Sequence, residues 1–364
     1  MQHLHTLAKA PSVEALQSRE DIMRLVNMAA AALAAGVSLI AWSAHAAGDL
    51  NMICSADPEV CDMMKGLFEK QSDIKVNMVR LSAGETYAKI RAEARNPKTD
   101  IWWAGTGDPH LQAAAEGLTL EYKSPLFDQL QDWAKKQAES ANFRTVGVYA
   151  GALGWGYNAD ILKKKGLKEP KCWADLLDPS YKGEIQIANP NSSGTSYNTL
   201  ATLVQMMGED KAFDYLSKLN ANISQYTKSG SAPVKAAARG EATIGIVFMH
   251  DAVAQTVEGF PIKAVAPCEG TGYEIGSMSI IKGARNLENA KKWYDWALSA
   301  EAQSHMKDAK SYQLPSNRSA EVPKEAPKFE EIKLIDYDFK KYGDPTVRKA
   351  LLARWDKEIG AKAN

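Results

Sequence analysis

The sequence predicts an α/β protein built as two lobes joined by two hinge crossings, and three observations carry that prediction. Three strand-loop-helix units follow one another between Leu50 and Pro109. The same grammar returns after Gly183. Between these blocks, over Val146 to Tyr157, and again over Cys268 to Met278, the chain is Gly-rich and extended, as a pair of crossings between lobes requires.

The N-terminus reads as a leader rather than as part of either lobe. Met23-Arg24-Leu25-Val26-Asn27 is followed by an apolar run to Trp42 and then by Ser43-Ala44-His45-Ala46-Ala47, the pattern of a secretory signal peptide with a small-residue cleavage site. The run is short for a membrane span and lacks a basic stop-transfer cluster, so the expectation is a released product cleaved at Ala46 or Ala47. Residues 1 to 22 are polar and precede the natural start at Met23, which marks them as an upstream mis-start. Setting residues 1–46 aside leaves 318 of the 364 residues and no change in the formal net charge of zero. That balance argues against nucleic acid or an anionic membrane as partner. With 45% hydrophobic and 24% charged residues, the composition is that of an ordinary globular chain long enough to bury a large core.

Cys54, Cys61, Cys172 and Cys268 all follow the leader, an even count in a compartment where disulfides persist. Of the three connectivities four cysteines allow, local closure of Cys54 with Cys61 is the simplest and leaves Cys172 with Cys268. A zinc site is the competing use, but no Cys-x-x-Cys and no nearby His pair supports it.

Leu50 to Cys54 is short and apolar enough for a buried strand, and Val60, Met63, Met64, Leu67 and Phe68 then fall at the spacing of a helix face. Ile74, Val76 and Met78 alternate as in a strand, Ser82-Ala83-Gly84 breaks the pattern, and Tyr87 to Arg95 is helical. A third strand over Thr99 to Trp103 ends in Gly105-Thr106-Gly107-Asp108-Pro109, completing what reads as an open, mostly parallel sheet. In the second lobe Gly183 to Ala188 is strand-like, Thr195 to Met207 helical, and Ala242 to Phe248 a buried strand. Ala290 to Ala300 is a late helix.

Ligands of open α/β sheets sit beyond the carboxyl ends of strands, so the loops there are the places to read. Four are polar: Ser82-Ala83-Gly84, Gly105-Thr106-Gly107-Asp108, Asn189 to Ser196, and His250-Asp251. The Ser192 to Ser196 segment sets Gly194 among hydroxyls at a helix start, where unpaired N–H groups accept an oxyanion. Capping of that helix by Ser193 or Thr195 is an equally good reading. A second such start, Lys228-Ser229-Gly230-Ser231, precedes the helix from Pro233 to Arg239, and two in one lobe favour an anion clamp. His250 and Asp251 emerge at the sheet edge and Glu274 lies in the return crossover. Carboxylates and a neutral imidazole can hold vicinal hydroxyls of a sugar ring, ligate a metal, or be satisfied structural groups. Trp102 and Trp103 can wall the cleft, though core packing is the better account. No Gly-x-Ser-x-Gly elbow, His-Glu-x-x-His or Walker loop supports catalysis, and Gly105-Thr106-Gly107 lacks the rest of a dinucleotide fingerprint.

The leader, the strand-helix opening, Asp100-Ile101-Trp102 before a Gly-rich loop, the two crossings and the late helix together resemble the periplasmic solute-binding proteins of ABC importers. The resemblance covers essentially the whole mature chain. Asn191-Ser192-Ser193-Gly194-Thr195, Lys228-Ser229-Gly230-Ser231 and Arg239-Gly240-Glu241-Ala242 look most like the ferric-binding branch. Its members hold a phosphate or carbonate on the two Ser-Gly starts and iron on two adjacent tyrosines. His250-Asp251 stand where those tyrosines would be, which removes phenolate ligation of iron and puts that cargo in doubt. With Gly105 to Leu111 and Pro267 to Gly272 added, the pattern is similar to the hexose-6-phosphate-binding members.

The resemblance implies the type II periplasmic-binding-protein fold, a Venus flytrap that closes on its ligand. Lobe 1 would comprise 47–150 and 276–320, lobe 2 would comprise 151–275, and 321–364 would pack on both as a helical segment. It implies a periplasmic, monomeric, non-enzymatic receptor without cofactor or metal that delivers a sugar phosphate to an inner-membrane permease and its ATPase. Ser193, Gly194, Thr195, Ser229 and Ser231 would take the phosphate, His250, Asp251 and Glu274 the sugar, and Ser82 and Thr106 would close from lobe 1. A ferric or other metal-ion receptor, or a phosphonate receptor, is the alternative.

Overall fold

The structure is a computed structural model that describes residues 48–362. The leader and its cleavage site lie outside the described residues. Strands β1 (Leu50–Cys54), β2 (Val76–Arg80), β3 (Ile101–Trp103), β4 (Val146–Asn158), β5 (Ile185–Ala188), β6 (Ile223–Thr227), β7 (Ile244–Phe248), β8 (Ile262–Val265), β9 (Tyr273–Ile280) and β10 (Leu314–Pro315) join in one sheet. Its order is β2-β1-β3-β9-β4-β7-β5-β6, with β8 and β10 on β4.

The sheet is mixed rather than mostly parallel. β1 runs parallel to β2 and β3, and β5 runs parallel to β6 and β7, as βαβ units require. Every pairing made by β4 and β9 is antiparallel. These are the strands that carry the chain between the two halves, so they meet each half's parallel strands from the opposite direction. β4 is a single 13-residue strand, fully buried, whose first half pairs β9 and whose second half pairs β7 and β8.

Two cores flank the crossing. One gathers Leu50, Met64, Phe68, Trp103 and Tyr149 with Met278, Trp293 and Met306. The other gathers Leu153, Trp155, Trp173, Tyr197, Phe213 and Phe248 with Tyr337, Leu351 and Trp355 of the C-terminal segment. Each is large enough to stabilise its own half, and the polar boundary between them is where a ligand can enter. Trp102 and Trp103 are both core residues. Trp102 stacks on His110 with ring centroids 3.5 Å apart and donates to Ser55 Oγ at 2.9 Å, so neither walls the cleft.

Local differences from the sequence reading have local causes. The helix after β2 begins at Ala83 and ends at Ala92, because Ser82 caps it and Glu85 Oε2 accepts the Ser82 N–H at 3.2 Å. β3 starts only at Ile101. Asp100 instead turns its carboxylate onto the N–H groups of Asn51, Arg285 and Asn286 at 2.8, 2.8 and 2.9 Å. The disulfides are Cys54–Cys61 and Cys172–Cys268, as the spacing led us to expect. Among the described residues no helix is long and apolar enough to cross a membrane.

Candidate functional site

A cavity of about 550 Å³ lies between the two halves, and all ten residues singled out from the sequence line it. The structure thus brings together positions that span Ser82 to Glu274 in the chain.

One wall is made of two helix starts. Ser193 caps the Gly194–Met207 helix, its hydroxyl accepting the Ser196 N–H at 3.4 Å, while the first N–H groups of a helix have no carbonyl below them. The capping and anion-binding readings of this segment are therefore compatible: Ser193 takes only the Ser196 N–H, and Ser193, Gly194 and Thr195 all line the cavity. The Ala232–Arg239 helix starts beside it, and no side-chain cap occupies its end. The two starts approach so closely that a Cβ at Gly230 would lie 2.1 Å from Thr195 Oγ1 and 3.1 Å from Ser193 Oγ. Gly194 is equally constrained across the cleft, where its Cβ would sit 2.6 Å from Thr106 Oγ1. Glycine at these two positions lets hydroxyls from both halves converge.

The opposite wall is built on the first turn of the Met249–Val257 helix, which follows β7 directly and presents His250 and Asp251 at the sheet edge. His250 Nε2 lies 3.4 Å from Asp251 Oδ1 and 4.0 Å from Glu274 Oε1. Gln313 Nε2 reaches His250 Nε2 at 3.1 Å, and the Gln313 amide is held in turn by Ser311. Burial pushes the His250 imidazole down to about 4, so it is neutral near neutral pH. Burial also pushes the Asp251 and Glu274 carboxyls well above the usual carboxylate range, with Asp57 adding to the first and Asp251 to the second. A hydrogen bond with Thr106 pulls Glu274 part of the way back. Buried acids of this kind are costly until a ligand hydroxyl satisfies them, and they can donate as well as accept.

The sequence reading missed Asp57, Arg80, Lys235, Tyr149 and Gln313, all of which line the same cavity. Asp57 and Arg80 were legible in principle: Ser55-Ala56-Asp57 follows β1, and Arg80 ends β2, so both lie at strand carboxyl ends. Lys235 sits within a helix and Gln313 some sixty residues beyond His250, with no local pattern to mark either. Burial holds Tyr149 protonated well above its ordinary range, and its hydroxyl accepts the Gly105 N–H at 2.9 Å. Among the described residues the tightest trio of metal-capable side chains is Cys172, Cys268 and Glu269, and those two sulfurs are already bonded to each other. His250, Asp251 and Glu274 do not converge that tightly.

Two α/β lobes, crossing strands and a polar cavity between them define a solute-binding protein. The chain belongs to the family of bacterial extracellular solute-binding proteins, whose model matches residues 96–341. It is 46% identical over 336 residues to an uncharacterized protein of Haemophilus influenzae, covering 92% of this chain and 97% of that one. Among solved structures, the periplasmic binding protein AfuA from Actinobacillus pleuropneumoniae, with exogenous fructose 6-phosphate bound, superposes with a TM-score of 0.84 at 48% identity. That match covers 86% of this chain and 99% of AfuA. Iron-bound HitA from Pseudomonas aeruginosa shares the fold, with a TM-score of 0.71 at 18% identity over 84% of this chain and 98% of HitA.

Proposed function

We propose that this chain is the periplasmic substrate-binding component of an ABC importer that captures a hexose 6-phosphate and delivers it to a membrane permease. The observation that carries the reading is the division of one cavity into an oxyanion wall and a hydroxyl-reading wall. The phosphate rests on the helix start at Ser193, Gly194 and Thr195, with Arg80 and Lys235 as the nearby cations. The sugar hydroxyls pair with His250, Asp251 and Glu274, and Ser82 and Thr106 close over the ligand from the first lobe. That AfuA was solved with fructose 6-phosphate bound supports a sugar phosphate as the ligand class.

Thermal unfolding of the mature chain tests this against its rivals, because a ligand that binds only the folded state raises the melting temperature by mass action. Glucose 6-phosphate should stabilise most, inorganic phosphate less, and glucose, an aminoalkylphosphonate and ferric citrate least. Stabilisation by ferric citrate alone would sink the proposal. Asp251→Ala should weaken glucose 6-phosphate by at least about tenfold, since it removes a buried carboxyl and leaves a desolvated sugar hydroxyl unpaired, and should spare inorganic phosphate. Equal losses for both ligands would contradict the division of roles.

A further inference from the structure

We infer that Asp57, Arg80 and Lys235 set the affinity of the cleft by latching its two lobes together, and that Ser231 serves this latch rather than the anion, while Ser229 accepts from Arg80 and keeps its own proton. The inference rests on the binding-protein reading of the cavity and adds a role that neither the cavity's lining nor its polarity assigns.

The geometry is specific. Asp57 and Arg80 belong to the β1–β2 side, whereas Ser229, Ser231 and Lys235 belong to the β6–β7 side. Ser231 Oγ donates to Asp57 Oδ1 at 2.6 Å, and Lys235 Nζ lies 2.9 Å from Asp57 Oδ2. Arg80 Nη2 donates to Ser229 Oγ at 3.1 Å while its Nε is fixed on Ala56 O at 3.0 Å. A serine hydroxyl carries a single proton. Ser231 has committed its proton to a carboxylate, so it has none to offer a phosphate oxygen. Burial pushes the Asp57 carboxyl up, but Lys235 and the bonds from Ser231 and Lys235 outweigh this and hold it below the usual range. An ionised carboxylate facing the oxyanion wall is unfavourable for an anion taken alone, and its bonds across the cleft explain its presence.

The substitution Asp57→Asn separates the two roles by sign. If Asp57 only repels the anion, its neutralisation tightens inorganic phosphate; if it latches the lobes, binding of inorganic phosphate and of glucose 6-phosphate weakens, by about fivefold for a partly exposed charged contact. Ser231→Ala should weaken binding by a similar factor in the natural protein and by almost nothing in an Asp57→Ala background, where the oxygen that accepts its proton is gone. Tighter or unchanged phosphate binding by Asp57→Asn overturns the proposal, as does an undiminished loss from Ser231→Ala in the Asp57→Ala background. Both single variants should also increase the ligand-free radius of gyration in small-angle X-ray scattering. If the natural protein binds neither phosphate nor glucose 6-phosphate, the sugar-phosphate reading fails, and an unchanged scattering radius then overturns the latch on its own.

Discussion

Gly84→Ala should block closure without harming either lobe. Gly84 lies in the first turn of the Ala83–Ala92 helix, and its N–H donates to Ser192 O of the opposite lobe at 3.0 Å, with the Glu85 N–H sharing that carbonyl at 3.3 Å. A Cβ there would fall 2.4 Å from Asn191 O and 2.7 Å from Ser192 O, both backbone atoms that cannot swing aside. The lobes must part by roughly an ångström to admit the methyl, and both hydrogen bonds lengthen beyond useful range. At about 1 kcal/mol net for each bond, closure loses about 2 kcal/mol, which is roughly thirtyfold in affinity. Within its own helix alanine is the better residue, worth up to about 1 kcal/mol. Titration calorimetry with glucose 6-phosphate should therefore show a roughly thirtyfold loss while the ligand-free melting temperature holds or rises. Unchanged affinity would refute the reasoning, because the closed cleft has no room for the methyl. A large fall in the ligand-free melting temperature would show that the glycine matters to the lobe itself.

The buried His110 should govern part of the acid limb of stability. Burial drives its imidazole down to about 3, so the folded state resists protonation; the stability it contributes is complete above about 6.5 and is lost as pH falls toward 3. His110→Asn should flatten the decline of urea-unfolding free energy between pH 6.5 and 4, and an unaltered slope would contradict the assignment. Asp108 works in the opposite sense: burial raises it to about 6, so its contribution is complete below about 4 and lost as pH rises through 6. Asp108→Asn should gain relative stability between pH 5 and 8, measured the same way, and a variant with no such gain would show that the bonds from Asn198 and Tyr337 require the carboxylate. The Cys172–Cys268 bridge spans 96 residues and the Cys54–Cys61 bridge 7, so replacing the first pair with serine should cost about 4–5 kcal/mol and the second about 2. Equal shifts in urea midpoint for the two variants would count against chain entropy as the main term.

What was legible in the sequence is what local chemistry writes locally. The periodicity at Val60, Met63, Met64 and Phe68, the alternation after Ile74 and the Ser-Gly helix starts all act over a few residues, and the structure keeps them. The helix start at Ala83 was misread as a break because Ser82 and Gly84 are turn residues by composition, and only the Ser82–Glu85 cap shows otherwise. The strand directions of β4 and β9 were not legible. Direction is a property of topology, and a Gly-rich extended segment reads alike either way. For the site, the rule that ligands lie beyond strand ends, the second Ser-Gly helix start and the place of Glu274 in the return crossover together brought ten residues to one cavity. They could not reveal how the hydroxyls spend their protons. Ser229 and Ser231 look alike in the sequence, yet Ser231 gives its proton to Asp57 while Ser229 accepts from Arg80 and keeps its own, and both partners are more than a hundred residues away.

Closure and selectivity are electrostatically linked through Asp57. Its charge is one reason the Asp251 carboxyl is pushed up, and Asp251 in turn pushes up Glu274. Lys235 and Arg80 oppose this, since both pull Asp251 down while also holding Asp57 ionised. An open cleft would let water solvate all three acids and weaken the coupling, because the interaction of charges depends on the dielectric between them. Shutting the lobes removes that water, so the acids must find either a proton or a ligand hydroxyl. A sugar lacking the matching hydroxyl leaves a desolvated carboxyl unpaired, at roughly 1–3 kcal/mol for each such group. On the proposed sugar-phosphate reading, the same movement that engages Asp57 with Lys235 would expose the wrong sugar to its full penalty, so discrimination should grow as the cleft closes. Because the phosphate wall makes no such demand, inorganic phosphate should escape this discrimination and bind with an affinity set by the oxyanion wall and the latch.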